Sequence, residues 1–185
     1  PVVDMCAAPG GKTVQLFDLL PDAQHVACEL SEKRAKRMQE NLERCKVKAD
    51  VKVQDACTLE GTYDAVLLDA PCSATGTTRR HPDVFFTRSK DGVKELTHLQ
   101  EKLLGKAVEL VSEDGVVVYA TCSLLPEENE KLIERFLEKN QSVELVDLSV
   151  YVWPSQIKAP MGGTLRLSPS KGGDGFFVAA LRKVQ

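Results

Sequence analysis

The stretch Asp4-Met5-Cys6-Ala7-Ala8-Pro9-Gly10-Gly11-Lys12-Thr13 decides the fold. It opens in the apolar run Val2–Met5, which reads as a strand, and ends in a helical pattern near Lys12–Leu20. A strand that turns on small residues straight into a helix begins a β-α-β unit. The pattern then repeats. Pro21-Asp22 ends the helix, and His25–Leu30 reads as a second strand. Ser31 is placed to cap the next helix, whose stripe Ala35, Met38, Leu42 and Cys45 has helical spacing. Val51–Gln54 and Tyr63–Leu68 give a third and a fourth strand. A polar, basic stretch runs from Cys72 to about Gly92. A long helix follows, with Leu96, Leu99, Leu103, Ala107 and Leu110 on one face. Val116–Ala120 is a fifth strand. Pro126 suits the first turn of another helix, which buries Leu132, Ile133, Phe136 and Leu137. Val143–Leu148 is a sixth strand, and Gly175–Leu181 is the last, after the loop Ser168–Asp174.

Strands alternating with helices of this length predict an α/β fold with a doubly wound, mostly parallel sheet. Such sheets bind ligands beyond the carboxyl ends of their strands. The loops to watch are therefore those after Met5, Leu30, Gln54, Leu68 and Ala120.

Bulk properties narrow the classes. With 185 residues, the chain suits one domain that buries about 70% of its unfolded surface without staples. Hydrophobic residues at 43% and charged residues at 28% are ordinary for a globular protein. No apolar run approaches the roughly 20 residues needed to cross a bilayer, and no signal peptide is visible. The net charge of −3 does not announce a strongly basic nucleic-acid binder. The charge is uneven, however. From Tyr151 onward, Lys158, Arg166, Lys171, Arg182 and Lys183 face a single acid, Asp174, so that end is either a solvated basic surface or a phosphate-facing patch. The six cysteines (Cys6, Cys28, Cys45, Cys57, Cys72 and Cys122) form no C-x-x-C pair, so no zinc site or other metal site is expected. Without a secretion signal, reduced thiols and a cytoplasmic location are expected.

Gly11-Lys12-Thr13 matches the end of the phosphate loop of triphosphatases. That loop needs a glycine five positions before its second Gly, where this chain has Cys6. The side chains of Cys6, Ala7, Ala8 and Pro9 would crowd the phosphate. The better reading is a turn on which a cofactor lies against the backbone and the helix N-terminus. Glu29, closing the second strand, can accept hydrogen bonds from both hydroxyls of a ribose. Asp55, closing the third, can bond an adenine amino group. Together these strand ends describe an adenosine-shaped crevice. The fourth strand runs into Asp69-Ala70-Pro71-Cys72, and the fifth into Thr121-Cys122-Ser123. In the usual strand order these two are neighbours, so Cys72 and Cys122 should lie close together beside Asp69.

The chain resembles the RNA cytosine-C5 methyltransferases that use S-adenosylmethionine, and among them the Sun-type bacterial enzymes of the small-subunit ribosomal RNA methyltransferase B group. The resemblance rests on D-M-C-A-A-P-G-G-K-T at Asp4–Thr13, D-A-P-C-S-A-T-G at Asp69–Gly76, R-R-H-P-D at Arg79–Asp83, Y-A-T-C-S-L-L-P-E-E-N at Tyr119–Asn129 and D-G-F-F at Asp174–Phe177. These strings stand in the expected order and cover essentially the whole chain. The resemblance implies a Rossmann-like S-adenosylmethionine-dependent methyltransferase fold with a seven-stranded sheet, one strand of it reversed near the C-terminus. It implies that residues 1–185 are the catalytic domain, a fragment lacking the N-terminal RNA-binding elements of relatives. By the same resemblance Cys6, Ala7, Ala8, Pro9, Gly10, Gly11 and Lys12 surround the methionine part of the cofactor. Glu29, where many relatives have Asp, holds the ribose, and Asp55 reads the adenine. Asp69 lies between cofactor and target base.

Carbon 5 of cytosine is too weak a nucleophile to take a methyl group from a sulfonium. A thiolate adding at carbon 6 makes it one, dividing a hard step into easier ones. Chemistry alone leaves open which thiol attacks, because DNA cytosine methyltransferases use a Pro-Cys thiol. The family assigns attack to Cys122 and product release to Cys72. The helix beginning near Pro126 would favour a Cys122 thiolate. Asp69, protonated or sharing a proton with ring nitrogen 3, would stabilise the developing charge. Arg79, Arg80, His81, Arg88 and Lys90 would meet RNA phosphates. The expected substrate is single-stranded or flipped-out RNA, ribosomal first and transfer RNA as the alternative. A non-catalytic RNA-binding module of the same fold is the rival from another class, and a triphosphatase is a further one.

Overall fold

The computed structural model describes residues 1–87, 89–151, 162–169 and 172–184, with the backbone alone at Phe85. Four parallel strand-to-strand steps, three of them through α-helices, build the part up to Thr121. The strands are β1 (Val2–Asp4), β2 (His25–Glu29), β3 (Asp50–Val53), β4 (Tyr63–Asp69) and β5 (Val111–Thr121). The helices are α1 (Gly11–Leu19), α2 (Glu32–Arg44), the single turn α3 (Val84–Thr87) and α4 (Lys90–Leu110). Helix α5 (Glu130–Lys139), β6 (Val143–Leu145), β7 (Thr164–Leu167) and β8 (Phe176–Lys183) complete the chain.

The sheet order is β3-β2-β1-β4-β5-β8-β6, with β7 also on β8. Strands β1 to β5 pair in parallel. β8 runs antiparallel to β5 and is the one reversed strand expected. Its outer edge is shared. β7 pairs with Phe176–Ala179, and β6 with Leu181–Lys183. The seven expected lanes therefore hold eight strands. β7 escapes a sequence reading because Thr164-Leu165-Arg166-Leu167 offers two turns of alternation and no apolar run.

The two faces of the sheet are covered by different helices. On one, Met38 and Leu42 of α2 pack with Ala27, Ala7 and Ala8. On the other, Leu103, Leu104 and Ala107 of α4 and Ile133 and Phe136 of α5 pack on Val3, Met5, Leu68, Val117 and Tyr119. Burying each such aliphatic side chain contributes about 1.5–3 kcal/mol, so these stripes fix the helices on the sheet. Ser31 caps α2 by accepting the Arg34 N–H, as its position predicts. Lys183 donates to the carbonyls of Val108 and Val111 at the end of α4. Arg166 pairs with Glu130 at 2.6 Å. Those two C-terminal bases are held by internal partners, which does not favour the phosphate-facing patch; Lys158 and Lys171 lie outside the described residues. Among the described residues no helix is long and apolar enough to cross a membrane.

Candidate active site

A cavity of about 420 Å³ opens over the carboxyl ends of β2, β1, β4 and β5. That volume is typical of a small-molecule site. Strand order arranges its wall: Glu29 and Leu30 after β2, Cys6 and Ala8 after β1, Asp69 and Cys72 after β4, and Cys122 after β5. Asp55 joins the wall from the loop after β3. A larger hollow between the first turns of α4 and the segment Leu124–Glu127 has no thiol in its wall.

At the β2 end, Glu29 is buried yet reaches the cavity. Its carboxylate accepts the Ser31 N–H at 2.9 Å and lies 3.3 Å from the Arg34 guanidinium. Arg34 also donates to the Ala8 carbonyl at 2.9 Å, tying the acid to the small-residue turn. Asp55 caps the short turn Ala56–Thr58 through the Cys57 N–H at 2.9 Å. In the β1 turn, Gly10 has φ +99°, a conformation that favours glycine, and a β-carbon there would press on Met38. Of the residues Cys6 to Lys12, only Cys6 and Ala8 line the cavity. Ala7 and Gly10 are buried within the turn, whereas Pro9 and Gly11 face outward. Thr13, on the first turn of α1, donates to Asp4 at 2.8 Å, and burial pushes the Asp4 carboxyl up to about 6.

At the β4 end, Lys12 Nζ donates to Asp69 Oδ2 at 2.7 Å and lies 5.2 Å from the centre of the Phe176 ring. Asp69 thus faces the cavity as the acid of an ion pair. The Sγ atoms of Cys72 and Cys122 are 3.5 Å apart, within hydrogen-bond range for sulfur. All six cysteines are free thiols. The hydrogen bond with Cys72 draws the Cys122 thiol below the ordinary cysteine value; Lys12 helps, while burial and Asp69 oppose. The same bond, then burial, pushes Cys72 far up. The expected helix-terminus effect is not the first cause. The N–H groups of Leu124 and Leu125, leading into the turn Pro126–Glu128, already donate to Thr75 and Ser123.

The chain matches the family described as 16S rRNA methyltransferase RsmB/F over residues 1–182. It belongs to the RsmB/F family. Ribosomal RNA small subunit methyltransferase B of Klebsiella pneumoniae is 42% identical over 188 residues, covering 98% of this chain and 42% of the relative. Among solved structures, NSun6 from Pyrococcus horikoshii has a TM-score of 0.86 at 33% identity, covering all of this chain and 48% of its own. A methyltransferase homolog from the same organism has a TM-score of 0.80 at 35% identity, covering 99% and 61%. The chain thus spans under half the length of the curated relative. The sheet and helices are the Rossmann-like fold of S-adenosylmethionine-dependent methyltransferases, as expected.

In this RsmB/F chain the largest feature missing from the sequence reading is Glu128, which is fully buried behind the two cysteine loops. The string Pro126-Glu127-Glu128-Asn129 shows two adjacent acids, and nothing in it tells which turns inward. Asn129 is also buried, bonding the Thr121 hydroxyl and the Ser123 carbonyl. The loop after Cys72 is buried at Ser73 and at Thr75 to Thr77 and becomes exposed from Arg79 to Asp83. Arg80 forms a two-pronged ion pair with Asp174, joining that loop to the D-G-F-F segment. Arg79 and Lys90 are exposed with no ion pair among the described residues, and Arg88 lies outside them.

Proposed function

We propose that the chain is the catalytic domain of an S-adenosylmethionine-dependent RNA methyltransferase that makes 5-methylcytosine in small-subunit ribosomal RNA through a covalent cysteine adduct. The observation that carries this reading is the contact of Cys72 and Cys122 in one cavity with Asp69. Two thiols touching at adjacent strand ends serve addition to and release from a pyrimidine. The curated relative at 42% identity carries the ribosomal name, which favours that RNA over transfer RNA.

The residues present fit the cofactor. Glu29 supplies a buried acceptor for a ribose diol, and Asp55 an exposed one for an amino group. Leu30 and Leu99, both in the cavity wall, are left 69% and 39% exposed, an apolar surface that a flat base would cover. NSun6 was solved with SFG, an S-adenosylmethionine analogue. Glu29, Asp55 and the turn holding Cys6 and Ala8 would hold S-adenosylmethionine, which would supply an electrophilic methyl group.

The chain's own groups do the rest. Cys122, the thiol held nearer ionisation, adds to carbon 6 of cytosine and makes carbon 5 electron-rich. Asp69 Oδ1 takes the proton of the Cys122 thiol as that sulfur adds and shares it with ring nitrogen 3, and Lys12 keeps the acid aimed by holding Oδ2. Cys72, touching Cys122, gives its own proton to the departing Cys122 sulfur and takes up the carbon 5 proton in exchange. Exposed Arg79 and Lys90 meet the phosphates of an unpaired RNA segment.

The test is methyl transfer by the full-length protein to small-subunit ribosomal RNA, with the product nucleosides separated by mass. The reading expects 5-methylcytidine from the wild type and none from Cys122→Ala. A product other than 5-methylcytidine, or full activity in Cys122→Ala, contradicts it; product only on transfer RNA moves the substrate to the alternative. S-adenosylmethionine, and not ATP, should raise the melting temperature.

A further inference from the structure

Each of the two cysteines in contact is followed by a serine: Cys72-Ser73 and Cys122-Ser123. Both serine hydroxyls donate to the same oxygen, Oε2 of Glu128. The other oxygen, Oε1, accepts the Ser73 N–H at 2.8 Å and the Gln100 side-chain amide at 3.0 Å. The same Gln100 amide donates to the Pro71 carbonyl at 2.8 Å, one residue before Cys72. Glu128 is 0% exposed and does not line the cavity, so it meets neither ligand nor solvent. Among the described residues its side-chain hydrogen-bond donors, Ser73, Ser123 and Gln100, are all neutral.

A buried carboxylate without a cation costs desolvation energy that an apolar side chain would not. Stability alone therefore does not call for an acid here. What a carboxylate adds is two oxygens that take donors from two separate loops at once. We infer that Glu128 is a positioning residue: it clamps the loop after β4 to the loop after β5 and so sets the distance between the Cys72 and Cys122 sulfurs. This inference rests on the proposed division of labour between the thiols, and it names what holds them in register. Proton exchange between two sulfurs needs their contact kept, and loosening either loop would separate them.

The clamp is tested on the full-length protein with Glu128→Ala and Glu128→Gln. The readout specific to positioning is the rate at which diamide, a thiol oxidant that takes up the two hydrogens, converts Cys72 and Cys122 to a disulfide, followed by peptide mass. Glu128→Ala should slow that rate at least about tenfold and single-turnover methylation on the order of 100-fold, as a displacement of about 1 Å does. Its affinity for S-adenosylmethionine and its KM for RNA should stay near wild type, because Glu128 lies outside the cavity. Glu128→Gln keeps one oxygen for the two hydroxyls and should recover part of both rates. If Glu128→Ala does not fold, Ser123→Ala removes one arm of the clamp and should slow both rates by a smaller factor. Unchanged disulfide and methylation rates in a folded variant overturn the clamp. Failure of the underlying reading is distinct: the wild type itself would form no 5-methylcytidine, while the disulfide rates would still report on the clamp.

Discussion

A β-carbon built on Gly76 would lie 2.3 Å from the carbonyl oxygen of Gly175 and 2.7 Å from that of Cys122. The Gly76 N–H donates to that same Cys122 carbonyl at 2.8 Å, and the Gly175 N–H donates to the Gly76 carbonyl at 2.8 Å. Three loops therefore meet at one point where no side chain fits. Gly76→Ala should destabilise the fold by about 2–3 kcal/mol, because backbone and not a flexible side chain must yield. Thermal unfolding checks this: a fall in Tm of roughly 5–10 °C is expected. Gly11→Ala is the comparison, since a β-carbon there meets nothing within 4 Å and should leave Tm near wild type.

Asp4 makes stability depend on pH in the direction opposite to a salt-bridged acid. Its carboxyl is raised from the ordinary 3.8 to about 6, with burial the first cause. A group whose pKa is raised by folding favours the folded state fully below 3.8 and loses that contribution as pH rises through 6. Between pH 4 and 7 the loss is up to about 3 kcal/mol. Asp4→Asn stays neutral throughout. Urea unfolding should show the variant gaining on the wild type by that order over this pH range. An unchanged difference between the two proteins would contradict the account.

Cys122 owes its lowered pKa first to Cys72. Removing that donor should raise it. In Cys72→Ala, alkylation of Cys122 by iodoacetamide at pH 7 should slow several-fold, and the midpoint of its rate against pH should move upward. A midpoint unchanged in the variant would show that Lys12 and the local backbone suffice.

Glu29 reaches the cavity through a hydrogen-bonded carboxylate that Arg34 holds in place. Glu29→Gln keeps the shape and removes the charge. Hydrogen bonds to charged acceptors contribute about 1.5–3 kcal/mol, so affinity for S-adenosylmethionine should fall roughly 10- to 100-fold. Titration calorimetry measures it. Arg34→Ala should give a smaller loss, since it acts on Glu29 and Ala8 and not on the ligand.

What was legible beforehand was what lies on strand ends. Apolar runs located β1 to β5, the parallel order put Asp69, Cys72 and Cys122 on neighbouring ends, and the cavity unites them with Glu29 and Asp55. What was not legible depends on which way a side chain turns. Glu127 pairs with Lys131 in solvent, whereas its neighbour Glu128 is buried under both cysteine loops. Alternation over four residues was too brief to reveal β7. The first cause of the lowered Cys122 pKa is Cys72 across the cavity, a neighbour in space that the helix-terminus expectation leaves out. The C-terminal bases, grouped along the chain, disperse in space: Arg166 meets Glu130, and Lys183 caps α4.

The central claim is a covalent bond between Cys122 and the target base, released with the help of Cys72. The direct measurement incubates full-length Cys72→Ala with small-subunit ribosomal RNA and S-adenosylmethionine, then resolves the protein on a denaturing gel. The account predicts a band of reduced mobility that nuclease collapses and that the double variant Cys72→Ala/Cys122→Ala lacks. Normal turnover by Cys72→Ala with no such band, or a band that survives loss of Cys122, would contradict it.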